Sequence, residues 1–140
     1  MKKVIAGILV FCLAICFAAC NKEQNGGWSE DAYIKVFFAN GESETLALDK
    51  LSAMVSEDTK TYDSKYARNK MEMVAKVTNV ELDYEMLGFV RVTFEGPWWC
   101  YIRKGTPVID ELERGQTVKV TGTLTLEDWT IYGAEITVLK

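Results

Sequence analysis

Between Lys70 and Leu82 the chain alternates, with Met71, Met73, Ala75 and Val77 falling on one face. A period of two over that length predicts a strand with one side in a core. Four more strand-like runs follow, Phe89 to Phe94, Trp98 to Ile102, Thr117 to Leu126 and Thr130 to Leu139. The breaks between them are explicit: Glu95-Gly96-Pro97 after the second run and Glu127-Asp128 after the fourth. Residues 106–115 predict a short helix, with Thr106 as cap, Pro107 in the first position and Gly115 as the stop. The order over residues 70–140 is therefore β-β-β-α-β-β.

Residues 28–69 form an extension ahead of that array. Tyr33 to Phe38 is β-prone, and Asn40-Gly41 leads into Glu42-Ser43-Glu44-Thr45-Leu46-Ala47-Leu48, which predicts a hairpin. The same stretch also fits a helix capped by Ser29, running through Ile34, Phe37 and Phe38 to a stop at Gly41, and the two readings stay open. Further on, Leu48, Leu51 and Val55 stand at helical spacing. The polar run onward to Lys70 holds Tyr62 and Tyr66 as anchors, which predicts one or two helices packed on the strands.

The amino terminus has a different character. Met1-Lys2-Lys3 precedes an uncharged run from Val4 to Ala19, the layout of a secretory signal, and the run is short for a spanning helix. Phe17-Ala18-Ala19-Cys20 resembles the lipobox of bacterial lipoproteins. That resemblance implies cleavage of residues 1–19 and diacylglycerol on the Cys20 thiol, an anchor that holds the protein to a membrane without spanning it. Residues 20–27, polar and glycine-bearing, then read as a flexible tether. Asn21 stands where many inner-membrane lipoproteins carry aspartate, so the resemblance favours the outer membrane, at its periplasmic face or at the cell surface.

Composition narrows the chemistry. The 140 residues, 49% hydrophobic and 26% charged, suit about one domain. The formal charge is −4, and the signal-like segment contributes two lysines and no acid, so the remainder is more acidic still. No histidine occurs, which removes the usual general base, the usual zinc ligand and the Ser-His or Cys-His pairings. Of the four cysteines, Cys12 and Cys16 leave with the signal and Cys20 is acylated, so Cys100 is the one thiol of the mature domain. Within Trp98-Trp99-Cys100-Tyr101-Ile102 it reads as a small buried hydrophobe.

Five short strands with a helix between the third and fourth is the order of an OB-fold, a small Greek-key barrel. Met73-Val74-Ala75-Lys76-Val77 and Val118-Lys119-Val120-Thr121-Gly122-Thr123-Leu124 resemble the paired V-x-G-x-V segments of OB-fold lipoproteins similar to the anticodon-binding domain of tRNA synthetases. Leu112 to Val118 resembles their L-x-x-G-x-x-V entry, Trp99-Cys100-Tyr101 their third strand, and Tyr66 to Lys70 their Y-x-G-K step. Two departures stand out: Ala75 replaces a glycine, which implies a gentler curve or a bulge elsewhere, and Arg68-Asn69-Lys70 replaces the tighter Gly-Lys step. The fold class expected is mainly β, an OB-fold-like barrel with a helical or hairpin extension.

Aromatics supply the candidate surface. Alternation puts Trp98, Cys100 and Ile102 on one face of their strand and Trp99 and Tyr101 on the other. If the front helices cover the second face, all five residues are packing. If they do not, Trp99 and Tyr101 form an exposed platform, with Trp129 and Tyr132 as the next candidates and Arg91 and Arg103 as its cations. Nucleic acid is disfavoured, because residues 70–140 carry eight cations against eleven acids. The acidic groups at Asp110-Glu111-Glu113 and Glu127-Asp128 are ordinary solvated charge, and no phosphate loop, metal-ligand spacing or nucleophile elbow is present. The expectation is a lipid-anchored, non-catalytic binding or envelope-assembly module without cofactor or metal, its partner an envelope protein or a small ligand. The alternative is a small-ligand, glycan or oligonucleotide binder using the exposed aromatics. Substitution Cys20→Ser removes the acyl acceptor and is expected to shift the protein from the membrane pellet to the soluble fraction, read by fractionation and palmitate labelling.

Overall fold

The computed structural model describes residues 27–82, 87–126 and 128–140. The signal-like run, Cys20 and nearly all of the 20–27 tether lie outside the described residues. The elements are β1 (Tyr33–Phe37), β2 (Ser43–Ala47), α1 (Leu48–Glu57), α2 (Thr59–Lys65), β3 (Lys70–Leu82), β4 (Phe89–Phe94), β5 (Trp99–Arg103), β6 (Thr117–Leu124) and β7 (Thr130–Val138). One 3-10 turn, Pro107–Glu111, lies between β5 and β6. No helix among the described residues is long and apolar enough to cross a membrane.

Strands β3, β4, β5, β7 and β6 close into a five-stranded barrel of OB-fold-like type, sealed by the antiparallel β3–β6 ladder. The predicted alternation in β3 is realised, since Met71, Met73, Ala75 and Val77 are all buried. Strand β3 pairs along one edge with β6 through Lys70 to Lys76, and along the other with β1 and then β4. A bulge between Val77 and Asn79 interrupts the β3–β4 ladder, and the Thr78 hydroxyl donates to the carbonyls of Thr93 and Phe94 across it. This is the bend that Ala75, lacking glycine's freedom, does not make.

The Asn40-Gly41 segment resolves as the β1–β2 hairpin, and the helical alternative for residues 33–38 is excluded. Asn40 accepts from the Glu42 amide and donates to its carboxylate, which holds the turn. Because β1 joins β3, the extension belongs to the barrel's own sheet. The helices then cover one end of the barrel, with Leu48, Leu51, Val55 and Tyr62 buried against it. Ser52 is central to that docking. The Trp98 indole N–H donates to its hydroxyl, which donates in turn to the Leu48 carbonyl, and the Trp129 indole donates to the Ser52 carbonyl. Trp98 is wholly buried, and removing such a ring costs about 3–5 kcal/mol.

The predicted helix over residues 106–115 is corrected to that single 3-10 turn. Thr106 does not cap it, and its hydroxyl donates to the Arg103 carbonyl instead. Of its apolar residues, Val108 and Ile109 are only partly buried, and Leu112 has already returned to extended backbone. Five residues that bury no full face do not sustain an α-helix. Where a glycine step was expected before β3, Arg68 takes φ 66° in the left-handed region, and its amide donates to Leu124.

Gly122 marks the closest approach of β6 to β7. A Cβ there lies 2.5 Å from Ile131 Cγ2 and 2.9 Å from the Tyr132 carbonyl oxygen. Opposite it the β6–β7 register slips between Thr121 and Thr123, with Gly133 at φ 61° supplying the extra residue of a bulge. Gly122→Ala is therefore expected to lower stability by about 1–3 kcal/mol through overpacking, read as a fall in Tm, while a change at an exposed position such as Lys60→Ala stays near neutral.

Candidate functional site

Strand β5 decides which aromatics face outward. Its buried side, Cys100 and Ile102 with Trp98 just before them, fills the barrel, so Trp99 and Tyr101 stand on the outer face. The helices dock on the Trp98 side through Ser52 and leave that outer face half-exposed. In the β4–β5 register Tyr101 lies opposite Arg91, and Phe89 opposite Arg103. The rings form a continuous row: Trp99 to Tyr101 at 5.1 Å and Tyr101 to Phe89 at 6.2 Å between centroids, both edge-on. The Arg91 guanidinium sits 4.5 Å from the Trp99 centroid, a cation–π contact that holds the row's other end. Its Nε is buried without a hydrogen-bond partner, and Glu81 lies opposite it in the β3–β4 register.

The row runs into a groove of about 770 Å³ between β5, the 3-10 turn and β7. Phe89, Tyr101, Ile102, Val108, Tyr132 and Ile136 give it an apolar lining, with Arg103 and Glu135 as its charges. A groove of that size suits a small ligand or a short peptide segment. Tyr132 is 75% exposed at its wall, on the side of β7 opposite the buried Ile131.

Of the residues expected from sequence, the structure brings Arg91, Trp99, Tyr101, Arg103 and Tyr132 together around one face and groove. Trp129 is separated from them: its indole docks on α1 and is partly buried against the core. Phe89, which the sequence marks only as the start of a strand, joins the site. The signal that could have found it is its pairing with Arg103, which requires the register of the hairpin. Cys20 lies outside the described residues.

Buried carboxylate chemistry sits elsewhere. Glu95, 4% exposed, accepts from the amides of Ser29 and Lys76 where β1 and β4 meet along β3, which gives it a structural role. Cys100 packs in the core, and burial pushes its thiol up to about 12. Comparison with models of protein families, with curated proteins and with solved structures gives no match to this chain.

The thiol carries a pH prediction. On unfolding it returns to its ordinary value of 9.0, so the unfolded chain releases this proton at lower pH than the folded one. Its contribution to stability is complete below about pH 9 and declines as pH rises from there toward about 12. A thiol reagent at pH 8 is expected to label Cys100 slowly in the folded protein and rapidly in denaturant, with Cys100→Ala flattening the alkaline limb of the stability curve.

Proposed function

We propose that this protein is a non-catalytic binding or envelope-assembly module, held on the outer membrane of a bacterium by lipid on Cys20. Its partner engages the outer face of β4 and β5. The observation that carries this reading is the row Phe89–Tyr101–Trp99–Arg91, left half-exposed beside an apolar groove when the same rings would have stabilised a core. Aromatic and arginine side chains grouped at a concave apolar surface are the usual anchors of a recognition site. Lipid anchoring supports the assembly role, since it concentrates the module on the surface where envelope partners lie.

The second reading, a small-ligand, glycan or oligonucleotide binder, draws on the same rings, which offer flat faces to sugars or bases. The oligonucleotide version is the weaker, because Glu81 pairs in register with Arg91 and Glu135 faces the groove, so phosphates meet carboxylates there. A catalytic reading has little to build on: the chain lacks histidine, and the Cys100 thiol stays protonated at neutral pH.

The test is affinity capture of the tagged, acylated protein from its native envelope, with a Trp99→Ala, Tyr101→Ala variant in parallel. A partner specific to the unaltered protein is expected to fall in the variant by about 30-fold or more, as loss of an anchor worth about 2 kcal/mol implies. Retention of the same partner by both forms moves the site off this face. Tryptophan quenching by a small ligand, with no protein retained, turns the assignment to the second reading.

A further inference from the structure

The β3–β6 ladder closes the barrel over nearly the whole of β6, whereas β5 and β7 close it only briefly. Those two strands run parallel and pair only at Trp99–Thr130 and Cys100–Ile131. Beyond that point β7 carries its Gly133 bulge, and the strands become opposite walls of the groove. We infer that this seam takes up an extended peptide segment of a partner protein as an added strand, paired with the main chain of Arg103 and Ile136. The inference deepens the binding reading and rests on it.

Register fixes which main-chain groups face the seam. The Lys104 amide donates to the Gly88 carbonyl, so along the β4–β5 ladder Cys100, Ile102 and Lys104 turn toward β4. Arg103 then turns its amide toward the seam, while its carbonyl is taken by the Thr106 amide and hydroxyl. On the other wall the Leu139 amide donates to Thr117, which directs Thr137 and Glu135 toward β6 and leaves Ile136 facing away from it. One N–H on β5 and an N–H with its carbonyl on β7 are thus available to an entering backbone. A sheet edge with such groups recruits another strand, and peptide recognition uses this mode repeatedly.

The side chains fit the same occupant. Ile102, Val108, Ile131 and Ile136 line the groove and receive alternate apolar side chains of an extended segment. Arg103 and Glu135 belong to opposite walls, and no ion pair joins the two. A segment with an acid toward Arg103 and a base toward Glu135 complements both. A nucleic-acid strand meets Glu135 with its phosphates, and a compact apolar ligand leaves the main-chain groups unused.

The test pans the full-length acylated protein, in detergent, against a phage-displayed library of short linear peptides. The most enriched peptide is remade with its backbone N-methylated at each position in turn, and amide exchange of the complex is followed by NMR. Expected are sequences alternating apolar and polar residues, and exchange at Arg103 and Ile136 slowed by about tenfold or more. N-methylation at every second position is expected to weaken binding by about tenfold, with little effect between. Tyr132→Ala, which removes an exposed wall and leaves the core intact, is expected to weaken the same peptide. No enrichment above detergent alone, bound peptide without protection of those amides, N-methylation effects without alternation, or unchanged affinity in Tyr132→Ala each overturns the inference. The broader reading then stands or falls separately, on whether the envelope partner is lost with Trp99 and Tyr101.

Discussion

Everything in this fold hangs on β3, one strand required to serve three partners. Its 13 residues give one edge to β6 and divide the other between β1 and β4. A straight strand cannot do this and also close a barrel, because closure demands a change of direction along its length. The bulge at Thr78 supplies that change, and the Thr78 hydroxyl satisfies the carbonyls it disturbs. Just past the end of β4, Glu95 accepts the amide of Ser29, ahead of β1, and that of Lys76 in β3. A buried carboxylate is costly unless its lone pairs are used, so these two amides explain why an acid is tolerated there.

Sealing the barrel along β3–β6 sends its remaining opening to β5–β7. Two observations that look separate are connected by this. The short parallel pairing of β5 with β7 leaves a groove, and the helices, already committed to the opposite side of β5 through Ser52 and the two indoles, do not cover it. The outer aromatics of β4 and β5 therefore stay at the surface beside that opening. The exposed aromatic face results from the order in which the apolar surfaces are consumed.

At particular positions the geometry explains why glycine stands or is replaced. Gly122 keeps the glycine of the V-x-G pattern because β7 leaves no room for a Cβ. Ala75, where that glycine is replaced, is accompanied by a bulge three residues later. Arg68 accepts a left-handed backbone where the pattern has glycine, since its amide bonds to Leu124 and closes the step into β3. The 3-10 turn at Pro107–Glu111 shows the reverse case: proline and glycine in helix-like positions, with too little apolar surface between them to hold a helix.

The sequence by itself determined the five strands of the barrel, their order along the chain and their inward faces, because a period of two and the Gly, Pro and Asp breaks are local and one-sided burial follows directly from them. It also determined that Trp99 and Tyr101 lie opposite Trp98 and Cys100. Only the tertiary structure decided which of those faces is covered, that residues 33–47 form a hairpin, that Trp129 belongs to the α1 dock, and that Phe89 and Tyr132 share a groove. Those outcomes depend on register and on which surfaces compete for the same cover. Both are properties of residues far apart in the chain, and local alternation carries no record of them.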